Sequence, residues 1–157
     1  MQSVRFEQVK VGQELPGLDI PLTTSLIVST ALASRDFTPV HHDKSAAQRS
    51  GVDDVFMNIL TTNGLVGRFV TDWAGPDARI TSVAIRLGTP NLPGDTMKLR
   101  GTVKSLDAAA STAEVEVKGA NAWGNHVTGT VVVELPQARE ARAQRGEAER
   151  STDLEKR

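Results

Sequence analysis

Apolar and polar residues alternate with a period of two through much of the second half of the chain, which is typical of strands that bury one face. Such runs cover residues 97–104, 113–118 and 127–135, and residues 80–87 form a further predicted strand before them. A short turn at 106–110 joins the first two runs and predicts a hairpin. The pattern therefore predicts an antiparallel sheet.

The first half of the chain indicates helices instead. An apolar segment at 26–34 follows three candidate capping residues and precedes Pro39. Residues 43–51 begin with an aspartate that can cap a helix and end with a glycine that can terminate one. Both segments are predicted to be short helices.

The longest helical pattern covers residues 57–73. Its core-facing side is predicted to carry Leu60, Gly64, Phe69 and Trp73. Gly64 and Gly67 within this helix each cost about 1 kcal/mol relative to Ala, so we expect close packing against another backbone as compensation. One long helix against one curled antiparallel sheet is the predicted architecture, which is of the α+β class.

Composition narrows the possible functions. The chain has 157 residues, which suits one domain, and its formal net charge of -1 disfavours nucleic acid as a partner. It has no Cys, so disulfides, thiolate metal sites and a thiol nucleophile are excluded. Charges near the start and the lack of any apolar run near ~18 residues predict a cytoplasmic protein without a membrane span.

The composition changes after Pro136. Residues 137–157 contain six basic and five acidic side chains but only one large apolar residue, Leu154. So little apolar surface cannot offset the entropy lost on ordering a packed segment. We therefore expect one domain at 1–136 and a charged, disordered tail at 137–157.

Asp36 and His41 are the best candidates for chemistry. Pro39 lies between them and can break a helix, which would let a loop turn both side chains toward one point. A carboxylate and an imidazole on one water could then add water to a neighbouring carbon, or eliminate it. The structural alternative is that Asp36 ends the helix while His41 binds a buried carbonyl.

Other kinds of site find less support in the sequence. His41, His42 and Asp43 are consecutive and no distant ligand completes a metal shell, so no metal site is predicted. There is no Gly-x-Ser-x-Gly elbow and no glycine-rich phosphate loop after a strand. His126 is predicted to be an ordinary surface or rim histidine.

Four motifs in order over residues 6–135 resemble the MaoC-like, (R)-specific enoyl-CoA hydratases. They are Phe6-Glu7-x-Val9-x-Val11-Gly12, Asp36-x-x-Pro39-Val40-His41-x-Asp43, Gly64-Leu65-Val66-Gly67-Arg68 and Pro90-x-x-Pro93-Gly94-Asp95. The resemblance implies a hotdog fold, in which a curled antiparallel sheet wraps a central helix. It also implies hydration of an acyl-CoA thioester without a cofactor, because CoA is the substrate's own handle.

The resemblance also assigns roles to residues. It places the catalytic pair at Asp36 and His41 and the oxyanion-binding backbone N–H at Ile59, which follows Asn58. Thr38 stands where the family often has Asn, and Thr38 and Asn58 are expected to support the pair. Arg35 stands where the family often has Gly.

Longer stretches narrow the resemblance to the small subunits of steroid side-chain hydratases within this family. They are IVSTALASRDFTPVHHD, NILTTNGLVGRFVTDWAGP and IRLGTP. This likeness implies a steroid side-chain enoyl-CoA substrate and a heteromer with a larger MaoC-like subunit, linked to a retro-aldol lyase. The alternatives are a general (R)-specific hydratase or dehydratase of linear acyl thioesters, and a non-catalytic acyl-CoA-binding subunit.

Overall fold

The computed structural model describes residues 2–138, which form three α-helices, two short 3-10 helices (Phe6–Gln8 and Pro39–His41) and five strands. The α-helices are α1 (Thr24–Ala33), α2 (Lys44–Arg49) and α3 (Ile59–Ala74). The strands are β1 (Leu18–Pro21), β2 (Arg79–Leu87), β3 (Thr96–Asp107), β4 (Thr112–Asn121) and β5 (Gly124–Glu134). The predicted helices and second-half strands are all present, with their ends shifted by a few residues.

The five strands form one antiparallel sheet in the order β1-β3-β4-β5-β2. Alternation along β3, β4 and β5 places their apolar residues on one face, as the period of two predicted. Register shifts interrupt three of the four strand pairs, and such bulges increase the local bend and twist of a sheet. The curled sheet leaves β1 and β2 as its two edges.

Strand β1 was not predicted. It is only four residues long, ends in a proline and pairs with β3 alone. Proline has no backbone N–H for a ladder and is confined mainly to strand ends and sheet edges. So short a segment carries no periodicity, and its strand conformation is set by the neighbouring β3.

Helix α3 lies against the concave face of the sheet and supplies much of the core. Its buried residues are Thr61, Thr62, Val66, Phe69, Val70 and Ala74. Opposite them, Gly101 on β3 makes room for an aromatic ring, because a Cβ there would lie 2.8 Å from Phe69 Cε1. The expected α+β arrangement of one curled sheet around one central helix is confirmed.

Two predictions about α3 were wrong. Leu60 is 50% exposed and does not belong to the buried face, because nine residues at about 100° each place it on the opposite side of the helix from the buried Phe69. The glycines are not closely packed against another backbone within residues 2–138. A Cβ at Gly64 would meet nothing within 4 Å, and one at Gly67 only Ile80 Cδ1 at 3.8 Å.

The predicted tail, 137–157, lies outside the described residues except for Gln137 and Ala138. These two residues contact the start of the chain: Arg5 donates to the Gln137 carbonyl at 3.0 Å, and the Ala138 N–H donates to Glu7. Among the helices of residues 2–138, none has the length and apolar character needed to cross a bilayer.

Candidate active site

Asp36 is positioned by the way helix α1 ends. Thr23 caps the start of α1 by accepting from the Leu26 N–H, as predicted. At the other end, the Arg35 N–H donates to Leu32 O and the Asp36 N–H donates to Ala31 O, both at 2.9 Å. This is a Schellman motif, and it requires Arg35 in the left-handed region at φ 58°. The motif fixes the backbone of Asp36 beside the helix end.

His41 is positioned by a single 3-10 turn, Pro39–His41, that follows the extended residue Thr38. Proline suits the first position of such a turn because its φ is already fixed near the helical value. The side chain of His41 is only 9% exposed, and its ring meets the Phe56 ring edge to face with centroids 4.9 Å apart. The predicted interruption at Pro39 thus brings His41 back toward Asp36.

The two side chains face each other. His41 Nε2 lies 3.4 Å from Asp36 Oδ2. The other ring nitrogen, Nδ1, lies 2.7 Å from the Phe56 carbonyl oxygen. A carbonyl can only accept, so Nδ1 carries the proton and the Nε2 of a neutral ring has a lone pair directed at the carboxylate side. His41 therefore binds a buried carbonyl, as the structural alternative supposed, and also faces Asp36.

Asp36 is surrounded by hydrogen-bond donors. The Thr38 hydroxyl donates to Oδ1 at 2.7 Å, the Thr38 N–H donates to the same oxygen at 3.2 Å, and Asn58 Nδ2 donates to Oδ2 at 3.0 Å. The pKa of Asp36 is lowered from 3.8 to about 2. The hydrogen bond from the Thr38 hydroxyl is the largest cause, the Asn58 amide is the next, and the charge of His41 contributes less. Asp36 is therefore ionised at neutral pH.

Asn58 joins the carboxylate to the start of helix α3. Its Oδ1 accepts from the Thr61 N–H at 2.9 Å and caps the helix, while Nδ2 also donates to Ser34 Oγ at 2.9 Å. The next residue, Ile59, is the first of α3, and its N–H has no acceptor within residues 2–138. A free N–H at the positive end of a 16-residue helix suits an oxygen that gains negative charge.

The structure therefore brings together Asp36, His41, Thr38 and Asn58, with Ile59 beside them. Two neighbours that the sequence did not suggest are Ser34 and the carbonyl of Phe56. Neither carries a recognisable signal, because a serine at a helix end and a backbone oxygen acquire these partners only through the tertiary fold. His42 is exposed, and Asp43 caps α2 through the N–H groups of Ser45 and Ala46.

His126 differs from its prediction. It is 2% exposed, with Nδ1 2.7 Å from Thr89 O and Nε2 2.8 Å from Thr62 Oγ1. Burial lowers its pKa from 6.5. The residue lies near the start of β5 at a register shift with β4, where Val127 pairs with Gly119 and Asn125 with Ala120. This irregularity breaks the alternation, so that His126 and Val127 are both buried. It is a buried histidine that joins the sheet to the helix, not a rim residue.

Large apolar side chains are exposed next to the Asp36–His41 pair. Phe37 follows Asp36, Ile59 and Leu60 follow Asn58, and Leu32 lies in the last turns of α1. Each of the four has between 48% and 63% of its surface exposed. We call this set the apolar rim. Exposed apolar groups beside a polar reaction site are typical of surfaces that bind a substrate or another subunit.

The fold and this pair define a class of protein. Residues 5–135 match the model of the MaoC-like domain family, and the chain belongs to that family. The hotdog architecture and the membership implied by the sequence motifs are both confirmed.

Individual relatives are closely similar. The 3-oxo-4,17-pregnadiene-20-carboxyl-CoA hydratase beta subunit of Mycobacterium tuberculosis (strain ATCC 25618 / H37Rv) is 48% identical over 125 residues, which are 80% of this chain and 95% of that one. A chain of the ChsH1-ChsH2 complex from Mycobacterium tuberculosis is 47% identical, with a TM-score of 0.78 over 80% of this chain and 98% of that chain.

A more distant structure shares the fold alone. The (R)-hydratase from A. caviae involved in PHA biosynthesis is 21% identical, with a TM-score of 0.76 over 83% of this chain and 99% of that chain. The same curled sheet and helix therefore persist at low sequence identity.

Proposed function

We propose that this chain is the catalytic small subunit of an enoyl-CoA hydratase, which adds water across the α,β double bond of a steroid side-chain thioester. The observation that carries the proposal is the pairing of Asp36 and His41 at 3.4 Å in a chain of the MaoC-like family. The relative from Mycobacterium tuberculosis named as a hydratase of a pregnadiene carboxyl-CoA supports the steroid class.

The pair is suited to bind one water molecule. With Nδ1 protonated toward Phe56 O, both His41 Nε2 and the ionised Asp36 carboxylate are acceptors. Two acceptors at this separation can share the two hydrogens of one water. The water oxygen is then free to approach the substrate's β carbon.

We assign the proton transfer to His41. A carboxylate with a pKa of about 2 is a weak base, so the imidazole Nε2 takes the proton while the water oxygen bonds to the β carbon. Asp36 stabilises the imidazolium that forms. The electrons of the double bond move toward the thioester oxygen as an enolate, which then takes the proton back from His41 at the α carbon. The net change is one water added, with no metal or redox step.

The Ile59 N–H is assigned to the thioester oxygen. Negative charge develops on that oxygen as the enolate forms, and the free N–H and the helix dipole at the start of α3 favour it. Asn58 holds this helix end and Asp36 together. Through Asn58, the carboxylate assigned to the water is linked to the helix end that carries the N–H assigned to the thioester oxygen.

The apolar rim is assigned to the acyl group. Phe37, Ile59 and Leu60 expose large apolar surfaces. A fused ring system bound against them would be removed from contact with water, which is favourable. A linear acyl chain would cover less of this surface. The rim therefore favours the steroid substrate over the general (R)-specific hydratase reaction, which is the second candidate function.

We also propose that the active form is a heteromer with a larger MaoC-like subunit. Strand β2 pairs only with β5, so its outer edge has no strand partner within residues 2–138. Unpaired edges are normally covered or paired. The solved complex that contains a 47% identical chain supports a second subunit.

Co-expression with the larger subunit and an assay on two substrates test the proposal. Loss of enoyl-thioester absorbance should be fast with 3-oxo-4,17-pregnadiene-20-carboxyl-CoA and much slower with crotonyl-CoA. Robust hydration of crotonyl-CoA without turnover of the steroid would favour the general hydratase. Binding of both thioesters without hydration of either would favour the non-catalytic acyl-CoA-binding subunit.

A further inference from the structure

Arg35 adopts a backbone conformation that ordinarily favours glycine. Its φ is 58°, and within residues 2–138 the only other non-glycine residue with positive φ is Ser111 at 54°. For a residue with a Cβ this conformation costs free energy that glycine avoids. The Schellman motif at the end of α1 needs the left-handed backbone but does not need a guanidinium.

The side chain of Ser111 has contacts that account for its conformation. Ser111 is buried, its carbonyl accepts from the Leu135 N–H, and its hydroxyl accepts from Gln137 Nε2. The side chain of Arg35 is exposed and makes no hydrogen bond or ion pair within residues 2–138. The Schellman hydrogen bonds therefore hold the backbone of Arg35, while its side chain has no partner inside the described chain.

Within the described residues, the guanidinium of Arg35 forms no ion pair, although the next residue in the sequence is an aspartate. The carboxylate of Asp36 accepts hydrogen bonds from Thr38 and Asn58 and faces His41, and Arg35 does not pair with it. Residues held in sparsely populated backbone conformations cluster at active sites and ligand-binding sites. Here the residue in that conformation carries an exposed guanidinium, unpaired in the part of the chain that the structure describes, directly beside the aspartate of the site.

We propose that Arg35 binds the phosphates of the substrate's CoA handle. This inference rests on the proposed function, which places the thioester at Asp36 and His41 and the acyl group on the apolar rim. The CoA handle then runs outward past the end of α1, where Arg35 lies. The formal net charge of -1 gives the chain no general attraction for a polyanion, so local cations must supply it. A guanidinium can bind a phosphate through two parallel hydrogen bonds.

Arg35→Gly is the decisive variant because it relieves the backbone strain and removes the charge. It is made in the full chain, within its active assembly, beside Arg35→Lys, and Ser111→Gly is the control for glycine at a left-handed position. Each protein is assayed with an enoyl-CoA and with the matching enoyl-pantetheine, which lacks the phosphates. Binding of free CoA is measured in parallel by calorimetry.

For Arg35→Gly we expect KM for the enoyl-CoA to rise about tenfold or more, from the loss of a charge-assisted contact, with kcat little changed. KM for the pantetheine thioester should stay the same, and the melting temperature should stay the same or rise. Arg35→Lys should show a smaller rise, and Ser111→Gly should leave both KM values unchanged.

Three outcomes would overturn the proposal. They are an unchanged KM for the enoyl-CoA, an equal rise for both thioesters, and loss of the assembly on size-exclusion chromatography, which would make Arg35 an interface residue. Failure of the proposed function is seen separately, as no hydration by the unsubstituted protein. In that case free CoA binding, weakened about tenfold by Arg35→Gly, still tests the role of Arg35.

Discussion

The Thr38 hydroxyl donates to Asp36 Oδ1 at 2.7 Å, the shortest hydrogen bond that the carboxylate makes. Thr38 stands where the family often has an asparagine, and its hydroxyl supplies a donor at this position. A second donor to the same carboxylate comes from Asn58, which also caps α3. Asp36 is thus held ionised and oriented from two separate elements.

Replacing Thr38 with Val should raise the pKa of Asp36 above its value of about 2, toward 3.8, because the hydroxyl is the largest influence that lowers it. The folded-state pKa lies below the unfolded one, so Asp36 stabilises the fold above about pH 4 and that contribution is lost as the pH falls toward 2. Carboxyl NMR titration measures the shift. Thr38→Ser keeps the hydroxyl and should keep the low pKa; equal pKa values in Thr38→Val and the unsubstituted protein would contradict the assignment.

Two adjacent threonines of α3 should respond oppositely to the same substitution. Thr61 Oγ1 is buried without a hydrogen-bond partner within residues 2–138, whereas Thr62 Oγ1 lies 2.8 Å from His126 Nε2. Thr61→Val should therefore leave the free energy of unfolding unchanged or raise it. Thr62→Val should lower it by about 1–3 kcal/mol, because a buried ring nitrogen loses its donor. Urea denaturation measures both, and equal losses would show that Thr61 has a partner of its own.

His126 should make stability depend on pH in mild acid. Burial lowers its folded-state pKa below 6.5, so as the pH falls through 6.5 the unfolded state takes up a proton that the folded state does not. The free energy of unfolding should therefore fall from pH 7.5 to pH 5. His126→Gln should be less stable at pH 7.5 but should show a weaker fall. The same slope in both proteins would mean that another group titrates.

Gly64→Ala should stabilise the chain by about 1 kcal/mol, the ordinary gain for a glycine in a helix interior. Nothing lies within 4 Å of the added Cβ, and the residue is exposed. Gly101→Ala is the opposing control, because its Cβ would lie 2.8 Å from Phe69 Cε1 and should destabilise the core. Thermal unfolding distinguishes them. A loss of stability in Gly64→Ala would show that the helix face is packed after all.

Local signals predicted most of the secondary structure. Alternation identified β3, β4 and β5, and residues 80–87 were predicted as a further strand, which is β2. The caps Thr23 and Asp43 identified the starts of α1 and α2. β1 was missed because four residues ending in proline carry no period, and their strand conformation comes from pairing with β3. Elements with their own pattern were predictable, and an element defined by its neighbour was not.

The site was predictable only in part for the same reason. Asp36 and His41 could be predicted as the candidate pair because Pro39 lies between them and because both belong to the family motif. The carbonyl of Phe56, which fixes the tautomer of His41, has no side-chain signal. His126 was misjudged because its burial depends on how the start of β5 meets α3 through Thr62. Sequence indicated the candidate reacting groups, while the contacts that fix the tautomer of His41 and lower the pKa of Asp36 came from the tertiary fold.

The most direct test of the account is the hydration rate of the heteromer carrying Asp36→Asn, His41→Ala or both. Each single change should lower kcat by about 10²-fold or more, and the double change should cost little beyond the larger single loss, because the two groups act on one water. Circular dichroism and melting temperature establish that each variant is folded. A folded Asp36→Asn or His41→Ala variant that hydrates the enoyl-CoA at nearly the unsubstituted rate would contradict the account.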